Sequence, residues 1–151
     1  MRCGAVRRDA DGRLVGDMFD GEGFVRGLRR KGCALPGASA LVVGAGGVGS
    51  AIAASLAAAG VGALALHDVD PAAAHSLADR LLGHYPALPV RTGSNDPAGF
   101  DIVVNATPMG MNDGDPLPLD VARIAPDAFV GEVVMKREMT AFLKMALRPR
   151  R

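Results

Sequence analysis

The chain alternates between short apolar runs and stretches of helical periodicity. Uninterrupted apolar runs at residues 40–43 and 63–66 and a third within residues 101–106 have the length of strands buried on both faces, and another strand is expected over residues 129–134. A weaker strand is expected at residues 88–91. Helical spacing appears in four places. Phe24, Val25 and Leu28 predict a helix over residues 21–31 with Gly32 as its C-cap. Residues 50–59 form an alanine-rich helical stretch. Pro71 behind Asp70 opens a third helix, whose apolar face is Ala74, Leu77, Ala78, Leu81 and Leu82 and which Gly83 and Pro86 close. A terminal helix is expected over residues 138–147, through Met139, Phe142, Leu143 and Ala146. Ahead of all this, Asp11-Gly12 reads as a hairpin turn between extended pieces at residues 6–8 and 13–15. Alternating strands and helices imply an α/β fold with a parallel sheet and helices on both faces.

The stretch that organises this pattern runs from residue 39 to residue 70. Its first strand passes directly into Gly44-Ala45-Gly46-Gly47-Val48-Gly49, a G-x-G-x-x-G followed by a helix and a second strand. Gly44 permits the tight turn, Gly46 removes a side chain where a pyrophosphate approaches the backbone, and Gly49 allows close helix packing. The helix start supplies unpaired N–H groups and partial positive charge. His67 and Asp68 end the second strand, roughly 20 residues beyond the last glycine, where a carboxylate accepts from both adenosine-ribose hydroxyls and repels a 2′-phosphate. This favours NAD, with NADP as the other cofactor of the same class. A purely structural turn, a methyltransferase-type nucleotide site, and for Asp68 a solvated loop residue are the competing readings. In open sheets, ligands bind beyond the carboxyl ends of the strands. That rule puts Gly44 to Gly49, Asp68, the segment from Asn105 to Met111, and the region after Val134 on one rim of a Rossmann-like, doubly wound sheet.

The totals narrow the picture further. A chain of 151 residues is one ordinary domain, short for a two-domain dehydrogenase. Net charge is +1 and aromatic content 4%, so no nucleic-acid surface is expected. Two cysteines, Cys3 and Cys33, make neither a disulfide framework nor a metal spacing, and His67, His75 and His84 lack a third ligand, so no metal is expected. The start shows no signal peptide, and the alanine-rich region at residues 50–66 is broken by Gly60 and Gly62. A cytoplasmic protein with no membrane partner is the expectation.

Four segments, GDMFDGEGFVRGL, VVGAGGVGSAIAASLAAAG, DIVVNATPMGM and GEVVMKREMTAFLKMA, resemble in this order the shikimate/quinate dehydrogenase family. The resemblance implies a nicotinamide-dependent oxidoreductase acting on a cyclic hydroxy acid, with an amino-terminal substrate domain and a Rossmann-like cofactor domain. It divides the chain into a substrate-domain remnant at residues 1–20, a linking helix and linker at residues 21–36, and the cofactor domain at residues 37–151. It makes Asp20 the aspartate of a catalytic Lys-Asp pair, whose lysine lies in a region this chain does not contain. Thr107, Pro108, Met109, Val134 and Met135 then shape the nicotinamide pocket, with Asn105 near the cofactor ribose and Ala106 also among the cofactor-binding residues. His67-Asp68-Val69 stands where NADP-using members carry Asn-Arg-Thr, and so resembles the NAD-using branch. Met18-Phe19 replaces the family's Asn-Thr, as in an atypical subgroup. Asp20 has a capping role as its alternative, and Lys136 is a solvated cation or a replacement base. The implied partners are a homodimer mate or a chain supplying the missing substrate domain. The alternative function is a non-catalytic NAD-binding module acting as a sensor or partner subunit.

Overall fold

The computed structural model describes residues 4–8, 14–18, 21–109 and 114–132. Asp20, Val134, Met135, Lys136 and the expected terminal helix lie outside these residues. Strands β1 (Gly4–Arg8) and β2 (Leu14–Met18) form an antiparallel hairpin with Arg8 opposite Leu14. The second strand therefore begins beyond Arg13 and runs three residues past the expected Val15, as far as Met18.

Helix α1 (Gly21–Arg30) follows, with Phe24, Val25 and Leu28 buried on one face. It ends as the pattern predicts. Gly32 takes φ +86°, its N–H reaches the Arg29 carbonyl at 3.0 Å, and the Cys33 N–H reaches that of Leu28 at 3.0 Å. Those two bonds satisfy carbonyls that the last turn leaves without helical donors.

The main sheet comprises β3 (Ser39–Val43), β4 (Ala63–His67), β5 (Val90–Thr92), β6 (Ile102–Asn105) and β7 (Phe129–Glu132), all parallel, in the order β5-β4-β3-β6-β7. Side chains alternate across it: Ala40, Val42, Leu64, Leu66, Ile102 and Val104 enter one apolar cluster, whereas Leu41, Val43, Ala65 and Val103 enter another. Both faces are thus buried, which is why these strands read as continuous apolar runs rather than as alternation. Beta-strand β5 lies two residues further on than its weak pattern suggested and is only half-buried.

Helices α2 (Gly47–Ala58) and α3 (Pro71–His84) join α1 on the first face. Asp70 caps α3 by accepting from the Ala72 N–H at 3.1 Å, with Pro71 at the first helical position as expected. Two details of α3 differ from the pattern. Gly83 lies inside the helix, which ends at His84 with Tyr85 as its C-cap, the Tyr85 N–H donating to the Leu81 carbonyl. Leu82 is 37% exposed rather than part of the buried face, because it follows Leu81 by one residue and points about 100° away around the helix.

Among the described residues the α-helices α1, α2 and α3 pack on the first face; the expected terminal helix lies outside them. The second face carries Leu119, Val121 and Ile124, from a segment whose one helical element is the 3-10 turn Val121–Arg123. Pro116 and Pro118 remove donors and restrict the residues before them, which keeps residues 115–118 out of an α-helix. Arg123 locks the segment to the β5–β6 connection through a forked bond to Asp96, 2.8 and 3.0 Å long, which holds the Asp96 carboxyl below the usual carboxylate range. Among the described residues no helix is long and apolar enough to cross a membrane.

The two ends of the α3 stripe give a direct comparison. Leu77→Ala removes a side chain that is 2% exposed and is expected to destabilise by about 2–5 kcal/mol. Leu82→Ala should change stability by no more than about 0.5–1 kcal/mol. Urea unfolding of both variants checks the difference.

Candidate functional site

The strand order reverses direction at β3, whose neighbours are β4 on one side and β6 on the other. At such a switch point the loops leaving adjacent strands diverge and open a crevice. Three loops meet there. The turn after β3 lies between His67-Asp68 at the end of β4 and Ala106 to Met109 after β6.

The contacts that hold this turn are made by backbone. The Gly44 N–H donates to the His67 carbonyl at 2.7 Å, and the Ala106 N–H to the Val43 carbonyl at 2.7 Å. Gly44 adopts φ +109°, and a β-carbon there would stand 2.6 Å from the Ala106 carbonyl oxygen. Only glycine meets both requirements. Gly49 is needed for a related reason, since a β-carbon on it would overlap the Gly44 carbonyl. The close packing that Gly49 allows is therefore of α2 against its own preceding turn.

Gly46 behaves differently. It has ordinary extended backbone (φ −77°, ψ −163°), and a β-carbon would meet nothing within 4 Å. It faces open space at the mouth of the crevice. Helix α2 begins one residue later than Gly46, earlier than the sequence suggested, and has no side-chain cap. Its first hydrogen bond runs from the Ser50 N–H to the Gly46 carbonyl at 2.8 Å, which leaves the amides of Gly47, Val48 and Gly49 without acceptors from the helix ladder. A glycine cradle above uncapped amides suits a pyrophosphate.

Asp68 stands at the edge of this cradle, half-buried. Its Oδ2 accepts from the Ala45 N–H at 2.8 Å and its Oδ1 from the Asp70 N–H at 2.8 Å. The carboxylate is thus oriented by two backbone donors and ties the glycine turn to the end of β4. Each oxygen keeps a further lone pair for a hydroxyl donor. His67 contributes a buried Nδ1 that has no hydrogen-bond partner among the described residues.

On the opposite side, Asn105 is wholly buried. Its Nδ2 donates to both carboxylate oxygens of Glu132, at 2.9 and 3.1 Å, and to the Met109 carbonyl at 3.2 Å. Its Oδ1 accepts from the Thr107 N–H and hydroxyl at 3.0 and 2.6 Å. Asn105 therefore acts on the 106–109 loop, while Ala106, Thr107 and Met109 are half-buried at the rim and Pro108 is exposed. Glu132 was not among the residues singled out from the sequence. Its signal was present all the same: a carboxylate within the otherwise apolar run that forms β7.

The amino end of the sheet offers less. A cleft of about 370 Å³ there is lined by Cys33, Pro36, Asp101 and Phe129. Its Asp101 already accepts from the Ser39 N–H and hydroxyl at 2.9 and 3.2 Å. Burial, and then the Asp101 charge, push the Cys33 thiol up, which disfavours the thiolate.

Comparisons with known proteins agree with this geometry. Residues 32–82 match the model of the ThiF family, a span that holds the glycine turn but well under half the chain. Over 148 residues the chain is 36% identical to the shikimate dehydrogenase (NADP(+)) of Rubrobacter xylanophilus, covering 96% of this chain and 52% of the relative. It is 40% identical over 144 residues to the quinate/shikimate dehydrogenase (NAD(+)) of Corynebacterium efficiens, covering 90% of this chain and 50% of that one. Its structure superposes on quinate dehydrogenase from Corynebacterium glutamicum, solved in complex with NAD, with a TM-score of 0.74 and 36% identity over 93% of this chain and 52% of that one. The chain thus spans about half the length of the relatives it matches, and those relatives use either NADP or NAD.

The different surroundings of two glycines separate binding from folding. Gly46→Val is expected to leave the melting temperature within a few degrees of wild type, because the added atoms enter open space, while abolishing measurable dinucleotide binding. Gly49→Val should instead lower the melting temperature by well over about 5 °C, because the turn and α2 must separate. Thermal melts paired with NAD titration decide both.

Proposed function

The chain belongs to the shikimate/quinate dehydrogenase family, and on that premise we propose that it provides the dinucleotide-binding part of an NAD-preferring oxidoreductase for a cyclic hydroxy acid of the shikimate or quinate type. The observation that carries this reading is the Asp68 carboxylate at the edge of the glycine cradle. Two backbone donors hold it in place, where an NADP site would need a cation.

The residues divide the work as follows. Gly46 leaves room for the pyrophosphate, and the amides of Gly47, Val48 and Gly49 donate to it. The free lone pairs of Asp68 accept from the adenosine-ribose hydroxyls, and His67 borders the adenine side. Ala106, Thr107, Pro108 and Met109 border the nicotinamide, with Val134 and Met135 completing that pocket. When bound, the nicotinamide accepts or returns a hydride. Asp20 hydrogen-bonds the substrate hydroxyl and shares its proton with a lysine. In this reading residues 1–20 belong with the substrate-binding part, residues 21–36 link, and residues 37–151 hold the cofactor; the protein works in the cytoplasm.

Isothermal titration of the chain with NAD and NADP separately tests the reading. NAD is expected to bind tighter by about fivefold to thirtyfold, since a carboxylate facing the 2′-phosphate is a like-charge contact worth about 1–2 kcal/mol at an intermediate dielectric. Binding of neither would overturn the dinucleotide assignment. Asp68→Asn removes the charge but keeps one acceptor oxygen, so the preference should shift toward NADP. An unchanged ratio of affinities would remove Asp68 from the role of discriminator.

A further inference from the structure

Asn105 and Glu132 are the buried polar and charged side chains among the described residues, each fully inaccessible, and they face each other in register on β6 and β7. A carboxylate inside an apolar sheet is costly unless its position supplies something an apolar residue would not. Here it supplies direction. A carboxylate only accepts hydrogen bonds, whereas an asparagine amide has a donating and an accepting side that interchange on rotation. With both Glu132 oxygens on Nδ2 of Asn105, at 2.9 and 3.1 Å, the amide can point only one way.

That orientation propagates outward. Oδ1 of Asn105 faces the loop and accepts from the Thr107 hydroxyl at 2.6 Å. Because the hydroxyl proton is used there, Oγ1 of Thr107 is free to accept from the Met109 N–H at 3.1 Å. Nδ2 also holds the Met109 carbonyl at 3.2 Å. The chain of donors thus runs from the Met109 N–H to Thr107, from the Thr107 hydroxyl to Asn105, and from Asn105 Nδ2 to the Glu132 carboxylate. Reversing the amide would set its NH2 against the Thr107 N–H and its oxygen against the Glu132 and Met109 oxygens, removing four bonds.

We propose that Glu132 is the positioning residue for the nicotinamide side of the crevice, acting through Asn105 and Thr107 on the backbone of Thr107 to Met109. This rests on the dinucleotide reading above, and it concerns one end of that site only. The glycine turn and Asp68 take no part in the network, so the adenosine and pyrophosphate end should not feel its loss.

The test compares NAD with ADP-ribose, which lacks the nicotinamide, by calorimetric titration of the full 151-residue chain. In wild type NAD should bind more tightly than ADP-ribose. Glu132→Gln offers Asn105 an amide that can turn either way, and it should weaken NAD about fivefold to tenfold while ADP-ribose affinity stays within about twofold. Thr107→Val leaves the buried pair intact and removes only the relay hydroxyl; it should show the same split and faster amide exchange at Met109. It decides the matter if Glu132→Gln does not fold. Equal loss of both ligands, or unchanged NAD affinity, in the deciding variant overturns the inference. So does a wild type that binds NAD and ADP-ribose equally well, and in each of these cases the dinucleotide reading stands. A wild type that binds neither ligand overturns that reading, and the inference with it.

Discussion

The rest of the structure depends on how closely three backbones approach at the head of β3. Gly44, Gly49 and Ala106 meet with no room for a β-carbon on either glycine, and this contact draws the turn, the first turn of α2 and the loop after β6 together. The approach fixes where α2 begins, and so where its uncapped amides point. It also brings the Ala45 N–H to the Asp68 carboxylate at 2.8 Å, which ties the end of β4 to the same point. One crowded contact thus defines the crevice on both its sides.

The crevice is anchored in two chemically different ways. On the β4 side a half-buried carboxylate takes backbone N–H groups directly and still has acceptor capacity facing outward. On the β6 side the carboxylate is fully buried, and its influence reaches the rim only through an asparagine and a threonine. The first arrangement suits recognition, because the charge itself stands at the surface where a ligand's charge would be felt. The second serves rigidity, since a satisfied buried network has one low-energy arrangement. The packing has a matching asymmetry. Among the described residues the α-helices lie on one face, and the face beneath the second anchor carries an extended, proline-interrupted segment pinned by Arg123 and Asp96.

The amino-acid sequence by itself determined the periodic elements and the character of the site. Continuous apolar runs imposed a sheet buried on both faces. The Gly44 to Gly49 spacing imposed the turn, and Asp70-Pro71 and Gly32 set helix ends, because these depend on local backbone freedom and local donors. The tertiary structure alone decided what nonlocal approach controls. It placed α2's start at Gly47, left Leu82 outside the core, and confined the described α-helices to one face. It also separated Gly46, which faces open space, from Gly44 and Gly49, which face backbone, although all three look alike in a motif. Above all it paired Asn105 with Glu132 across 27 residues of sequence. Neither residue names its partner in the sequence, because strand register, and not spacing along the chain, determines which side chains stand opposite one another.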